Sequence, residues 1–188
     1  MLYIKLMKRL EISVLFPVIF LFLLTLTSKE YLFCAFLAVT IHEMGHLLAS
    51  LVKKKKIERI RIMPMGMDIK YSSGVVSYKS DIFVLFCGCF FNLVFALIFA
   101  KYKLFSSISL YLAVINSLPV RMLDGGRILE NFFLLHLDED IAIRISKYIS
   151  FFTLLILWIL SAFILFYSEV NASLFFFTIY LFCGCFLH

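Results

Sequence analysis

Two histidines and a glutamate interrupt an apolar stretch that runs from Thr40 to Leu48. On an α-helix, residues four apart lie one turn apart on the same face, so His42 and His46 can direct both imidazoles at one metal ion. Glu43 lies about 100° round the helix, where its carboxylate can accept the proton of an attacking water instead of binding the metal. The pattern is H-E-x-x-H, in which zinc makes the nucleophile and the glutamate is the general base.

The surroundings of this motif strengthen the metal interpretation. In a soluble protein, five such residues match by accident about as often as they mark a metal site. Between 31 and 52, however, the sequence contains no other charged group. A carboxylate and two imidazoles in hydrocarbon cost several kcal/mol unless something offsets them. A bound metal would offset this cost.

The composition is that of a membrane protein. Hydrophobic residues make up 63% of the 188 residues and the mean hydropathy is +1.03, against about 45–50% apolar residues in a soluble domain. A span needs about 20 apolar residues, and we predict spans at about 12–28, 31–52, 81–100, 104–120, 148–167 and 172–187. No small-residue cleavage site follows the first apolar run, so we expect no cleavable signal peptide. The predicted fold class is an all-α polytopic bundle forming a single membrane domain over 1–188, with its catalytic core at about 31–130.

The distribution of positive charge predicts the orientation. With an even number of spans, fifteen of the eighteen Lys and Arg residues fall on one side of the membrane. The positive-inside rule then puts both termini in the cytoplasm. The basic run from Lys53 to Lys56 is the cytoplasmic stop after the second span rather than a nucleic-acid site. At 1.5 Å per helical residue, the histidines lie ~9 to 15 Å below the cytoplasmic surface, where a water-filled cavity is needed for hydrolysis.

Two segments beside the second span are candidates for placing a substrate. Alternation of apolar residues between 60 and 71 predicts a small β-hairpin, or a re-entrant loop, within 57–78. A further short strand is possible from Val75 to Tyr78. In the third span, Gly88 and Asn92 lie four apart on one face, and an amide inside a membrane faces protein or water. Asn92 is as compatible with an interhelical packing bond as with a role in catalysis.

The third metal ligand is predicted after the fourth span. Pro119 removes a helical hydrogen bond, so the helix should break there, and Gly125 with Gly126 permits a turn directly after Asp124. Two histidines leave a catalytic zinc short of one protein ligand, and Asp124 is the best candidate. The alternative is that Asp124 caps the helix that follows it.

The remaining residues with possible chemistry favour structural roles. All five cysteines fall in apolar spans, and the repeated Leu-Phe-Cys-Gly-Cys-Phe at 85–90 and 181–186 is better explained by packing than by metal binding. His136 is interpreted as a surface histidine. The last two spans lack ionisable groups and are expected to be lipid-facing scaffold.

Together, His42-Glu43-Met44-Gly45-His46, Gly88-x-x-x-Asn92, and Asn116-x-x-Pro119 followed by Leu123-Asp124-Gly125-Gly126 resemble the motifs of the site-2 protease family of intramembrane zinc metalloproteases. The chain is most similar to the short bacterial type related to the sporulation factor that cleaves a membrane-tethered pro-sigma factor. The resemblance covers about residues 31 to 130.

The resemblance implies a set of roles and partners. One zinc ion per chain would be bound by His42, His46 and Asp124, Glu43 would be the base, and the substrate would contact three residues, Asn92, Asn116 and Pro119. The substrate would be a membrane-tethered protein such as a pro-sigma or anti-sigma factor, cut within a bacterial cell membrane, with a regulatory membrane protein as a further candidate partner.

This sequence departs from the family pattern at Cys89, where the family usually has proline, and at Pro64 to Met67, where a second glycine is common. We expect no PDZ-like and no nucleotide-sensing CBS domain within residues 1–188, so the regulation of those relatives is not assumed for this chain.

The alternative function is a zinc-binding membrane protein without protease activity, either a transporter or an inactive relative. A transporter should carry polar groups through the whole bilayer, whereas here they cluster in the second to fourth spans. An inactive relative would be expected to lack Glu43.

Overall fold

The computed structural model describes residues 3–7, 10–13, 28–55, 57–63, 66–71, 77–167 and 173–186. Six helices and four strands lie in these ranges: β1 (Tyr3–Met7), β2 (Leu10–Ser13), α1 (Lys29–Val52), β3 (Ile57–Met63), β4 (Gly66–Tyr71), α2 (Tyr78–Ile98), α3 (Lys103–Asn116), α4 (Asp124–Leu134), α5 (Glu139–Tyr167) and α6 (Ser173–Phe186). Contacts divide the chain into two compact units, one of residues 1–77 with 87–113 and one of 78–86 with 114–188.

The predicted class of α-helical membrane protein is confirmed. Among the described residues, α1, α2 and α5 are long and apolar enough to cross a membrane, and α3 is a shorter apolar helix. These helices and α6 correspond to five of the six predicted spans. The remaining span was predicted at 12–28. Residues 14–27 lie outside the described residues, and residues 12 and 13 belong to β2.

A four-stranded sheet in the first unit is larger than the predicted hairpin. The order is β1-β2-β3-β4, with β2 parallel to β3 and the other neighbours antiparallel. The β3–β4 hairpin was predicted, but the N-terminal hairpin was not, because those short strands are completed by a partner, β3, that is distant in sequence. The possible strand at 75–78 is wrong at its end, since Tyr78 begins α2, and 75–76 lie outside the described residues.

The first unit has an apolar core between α1, α2 and α3. Ala38 and Ile41 of α1 are buried against Phe105 of α3, and two phenylalanines of α2, Phe91 and Phe95, pack on this cluster. This packing fixes which face of α1 points inward. At the start of the same helix, Ser28 is the N-cap, since its Oγ accepts a hydrogen bond from the backbone N–H of Tyr31 at 3.3 Å.

The second unit is built on α4, α5 and α6. Its core consists of Val120 before α4, Leu154 of α5 and Leu181 of α6. Ser161 and Thr178, each fully or nearly buried, donate at 2.8 Å to the carbonyls of Trp158 and Phe175 in their own helices. Their hydroxyl oxygens lie 3.3 Å apart across α5 and α6, so both buried hydroxyls are satisfied within the helix pair. The last two helices therefore support the segment that leads to Asp124.

Candidate metal centre

The H-E-x-x-H motif lies in the second half of α1, on the face that the unit buries. His42 is 5% exposed and His46 is 8% exposed, whereas Met44, on the opposite face, is 48% exposed. The Nε2 atoms of the two histidines are 3.1 Å apart. Two nitrogens bound to one tetrahedral zinc at ~2.0–2.1 Å lie about 3.3 Å apart. The two imidazoles thus have the spacing of two ligands of one ion.

Helix α2 approaches α1 closely because glycine occupies both contact points. A Cβ atom at Gly45 would lie 2.6 Å from the carbonyl oxygen of Cys87. A Cβ atom at Gly88 would collide with the His46 ring and touch the His42 ring. The first glycine therefore admits the α2 backbone, and the second leaves room for the imidazoles.

Asn92 lies one turn beyond Gly88 on the same face of α2, as the spacing predicted, and its side chain contacts His42. Its side chain is fully buried, and its Nδ2 is 3.3 Å from Nδ1 of His42. The first unit thus surrounds the two histidines with a glycine on one turn of α2 and an amide on the next.

Glu43 follows His42 and is also buried, with 6% of its side chain exposed. A buried carboxylate in an apolar helix is costly unless it is satisfied or used. Its place directly after His42 in the sequence is the one that the H-E-x-x-H motif gives to the general base.

Asp124 is the first residue of α4 and is 9% exposed. Helix α3 ends at Asn116, and the chain passes through an irregular segment, 117–123, before α4 begins. The break at Pro119 was predicted. The alternative of an N-cap aspartate is wrong, because the N-cap position is held by Leu123.

The two glycines after Asp124 act differently from the prediction. A turn was predicted directly after Asp124, but Gly125 and Gly126 belong to the first helical turn of α4. A Cβ atom at Gly125 would collide with the carbonyl oxygen of Ser117, and one at Gly126 with that of Val120. The glycines therefore let the preceding segment fold back onto the start of α4, which fixes the position of Asp124.

An ion pair that sequence analysis missed holds the same segment. Arg121 Nε is 2.7 Å and Arg121 Nη2 is 3.3 Å from the carboxylate of Glu130. The backbone N–H of Arg121 donates to Ser150 Oγ at 3.1 Å, and that hydroxyl donates to the carbonyl of Pro119 at 3.3 Å. The only sequence signal is an arginine and a glutamate nine residues apart, which on its own predicts nothing specific.

His42, His46 and Asp124 form one group of potential metal ligands. Each offers a ligand atom, and these atoms all lie within 4.8 Å of one another. Two imidazoles and a carboxylate are the donor set of a catalytic zinc that keeps one position open. The residues therefore fit the predicted ion, and among the described residues no cysteine joins this or another such group.

The structure does not test the roles predicted for the other two site residues, Asn116 and Pro119. Asn116 ends α3 and Pro119 lies in the irregular segment, and both are half-buried. Their contact with substrate stays a prediction. His136 is exposed and its Nδ1 donates to the carbonyl of Phe132, one turn earlier, at 2.9 Å, which agrees with its interpretation as a surface histidine.

The fold has a counterpart among solved structures. A Site-2 Protease from Methanocaldococcus jannaschii aligns with a TM-score of 0.65 over 98% of this chain and 93% of that chain, at 19% sequence identity. No protein-family model and no curated protein matches the sequence. The class defined here is thus an α-helical membrane protein with a buried group of potential metal ligands. More particularly, the chain has the fold of a site-2 protease.

Proposed function

We propose that this protein is an intramembrane zinc metalloendopeptidase that cuts a membrane-tethered protein in or near its transmembrane segment. One observation carries the proposal: His42, His46 and Asp124 converge in a protein with the fold of a site-2 protease, and Glu43 is buried beside the two histidines. Lipid is its surrounding solvent, so a substrate must reach the site from within the bilayer.

In this proposal, His42, His46 and Asp124 hold the zinc ion. When bound, zinc supplies Lewis-acid activation of the scissile carbonyl and of the attacking water. Glu43 accepts the proton of that water and then delivers it to the leaving amine. The burial of Glu43 suits this exchange, because a carboxylate shielded from bulk solvent keeps the proton that it has accepted.

The sheet is the proposed docking site for the substrate. A peptide bond in a membrane helix is protected by its own hydrogen bonds and by lipid, so the substrate has to unwind before it is cut. Strand β4 is an edge strand, paired with β3 alone among the described strands. An unwound segment can add to this edge and recover the backbone hydrogen bonds that it loses.

The substrate class follows from the resemblance of the motifs to the sporulation type of site-2 protease. We propose a pro-sigma or anti-sigma factor, released toward the cytoplasm by a single membrane domain that spans 1–188 and has both termini inside. A screen of co-expressed tethered transcription factors from the same genome would identify it.

The decisive experiment is co-expression of each tethered candidate with wild type and with Glu43→Gln. Wild type should cleave one of them, and Glu43→Gln should retain zinc but not cleave, because the amide cannot accept the proton. Met44→Ala is the matched control, since Met44 is on the same helix but on its exposed face. Full cleavage by Glu43→Gln would remove Glu43 from the mechanism.

The same experiment tests the alternative. A transporter or an inactive relative would bind zinc in the wild-type protein but cleave none of the tethered candidates. Retention of Glu43 in the motif favours the protease.

A further inference from the structure

Asn92 and the two histidines form a continuous line of polar contacts inside the first unit. Nδ2 of Asn92 is 3.3 Å from Nδ1 of His42, and Nε2 of His42 is 3.1 Å from Nε2 of His46. The amide oxygen of Asn92 is buried and has no hydrogen-bond partner among the described residues. The amide therefore contacts the ring of His42 on the side away from His46.

The orientation of the Asn92 amide sets which ring nitrogen of His42 carries the proton. A neutral imidazole has one N–H donor and one acceptor nitrogen. If the amide N–H of Asn92 donates to Nδ1, the His42 proton is on Nε2, which then donates to Nε2 of His46. In that tautomer Nε2 has no lone pair to offer a metal.

A half-turn of the amide about its Cβ–Cγ bond gives the opposite tautomer. The amide oxygen then faces His42, and Nδ1–H donates to it. Both Nε2 lone pairs become available to one ion. Metal-binding histidines typically donate their other ring N–H to an oxygen, which fixes the tautomer and the ring orientation.

We propose that Asn92 is a positioning residue for His42: its amide oxygen accepts the Nδ1–H and holds the ring ready to bind the metal through Nε2. This inference rests on the proposed metal site. It gives Asn92 a different role from the substrate contact that the family resemblance implies. Its full burial is compatible with this role, because a side chain that acts through His42 needs no surface that substrate can reach.

Helix α2, which carries Asn92, packs closely against the histidine pair. Gly88, one turn earlier on the same face, packs directly against both imidazole rings and excludes any larger residue. The turn from Gly88 to Asn92 therefore follows the histidine pair closely, and the amide has little freedom to move away from Nδ1.

The test compares three variants of the full chain by competition for zinc with a chromophoric chelator. Asn92→Leu keeps the size but removes the acceptor, and its zinc affinity should fall by about 10- to 100-fold. Asn92→Asp restores an oxygen acceptor and should bind zinc as wild type does. Ser109→Ala removes another fully buried polar group of the same unit. Ser109 has no role in the proposed metal site, so this variant should leave zinc affinity unchanged.

A spectroscopic measurement keeps the inference testable if Asn92→Leu does not fold. In the zinc-loaded wild type, nitrogen NMR of labelled histidine should show the His42 proton on Nδ1 in a hydrogen bond. A proton on Nε2, or an Nδ1–H without a hydrogen bond, would overturn the inference.

The outcomes separate this inference from the proposed function. Wild type that binds no zinc would contradict the metal site and the inference with it. Wild type that binds zinc, together with a folded Asn92→Leu of equal affinity, would refute only the role of Asn92. If that variant kept its zinc but lost cleavage, Asn92 would act on the substrate, which also refutes the positioning role.

Discussion

Replacing Gly88 by alanine should reduce zinc binding although it adds only one methyl group. That methyl would occupy the space of the His46 ring, and it would also touch the ring of His42. Carbon atoms pack at about 3.5–4.0 Å, so the imidazole has to give way. Overpacking of this kind typically costs about 1–3 kcal/mol. If the ring moves, this cost falls on metal binding and corresponds to about one to two powers of ten in the dissociation constant.

The fold itself should tolerate the substitution. Alanine is favoured over glycine in a helix by about 1 kcal/mol, so α2 should form as well as before. The chain contains a matched control, because Gly184 of α6 lies in the same Leu-Phe-Cys-Gly-Cys-Phe sequence. The atoms nearest to a Cβ atom there belong to the side chain of Met122, a flexible group that is 41% exposed and can move aside.

The assay is a zinc competition titration of purified Gly88→Ala, Gly184→Ala and wild type, with thermal unfolding measured on the same samples. Gly88→Ala should bind zinc more weakly, and Gly184→Ala should match wild type. Equal zinc affinity in Gly88→Ala and wild type would refute the close packing of α2 on the histidine pair. Equal loss in both glycine variants would mean that a nonspecific effect of alanine is responsible.

Three further predictions concern the second unit. Asp124→Ala should lower zinc affinity and abolish cleavage, because it removes the proposed third ligand; unchanged zinc affinity in titration would exclude Asp124 from the site. Arg121→Glu and Glu130→Arg should each slow cleavage by releasing the segment before α4, and the double variant should recover part of the rate; no recovery would mean that their pairing is not what matters. Leu154→Ala, at a core position that is 1% exposed, should lower the free energy of unfolding by about 2–5 kcal/mol, whereas Ile156→Ala, 65% exposed on the same helix, should change it by less than about 0.5 kcal/mol; similar losses in denaturation would contradict the assigned core.

The sequence predicts the long helices well because their signal is local. Helix α1 was expected at 31–52 and runs from Lys29 to Val52. Helix α5 was expected at 148–167 and ends at Tyr167, but it begins at Glu139 because its first turns are polar. Hydropathy sets such limits residue by residue. The placement of His42 and His46 on one face of the helix could equally be predicted from the sequence, since it depends on helical spacing alone.

Features that depend on contacts between residues far apart in the sequence could not be predicted from the sequence. The N-terminal hairpin is completed by the parallel pairing of Leu10 with Ile60, fifty residues away, and nothing local marks it. The ion pair of Arg121 and Glu130 depends on how the segment after α3 folds back. The role of Gly126 was missed for the same reason, because it requires knowing that the carbonyl of Val120 lies against the helix.

X-ray absorption at the zinc edge of the purified, zinc-loaded protein tests the central claim most directly. With His42, His46 and Asp124 as ligands, the spectrum should show zinc surrounded by nitrogen and oxygen at ~2.0–2.1 Å with the scattering pattern of two imidazoles. Sulfur at ~2.3 Å, as cysteine ligands would give, or a zinc without imidazole, would contradict it.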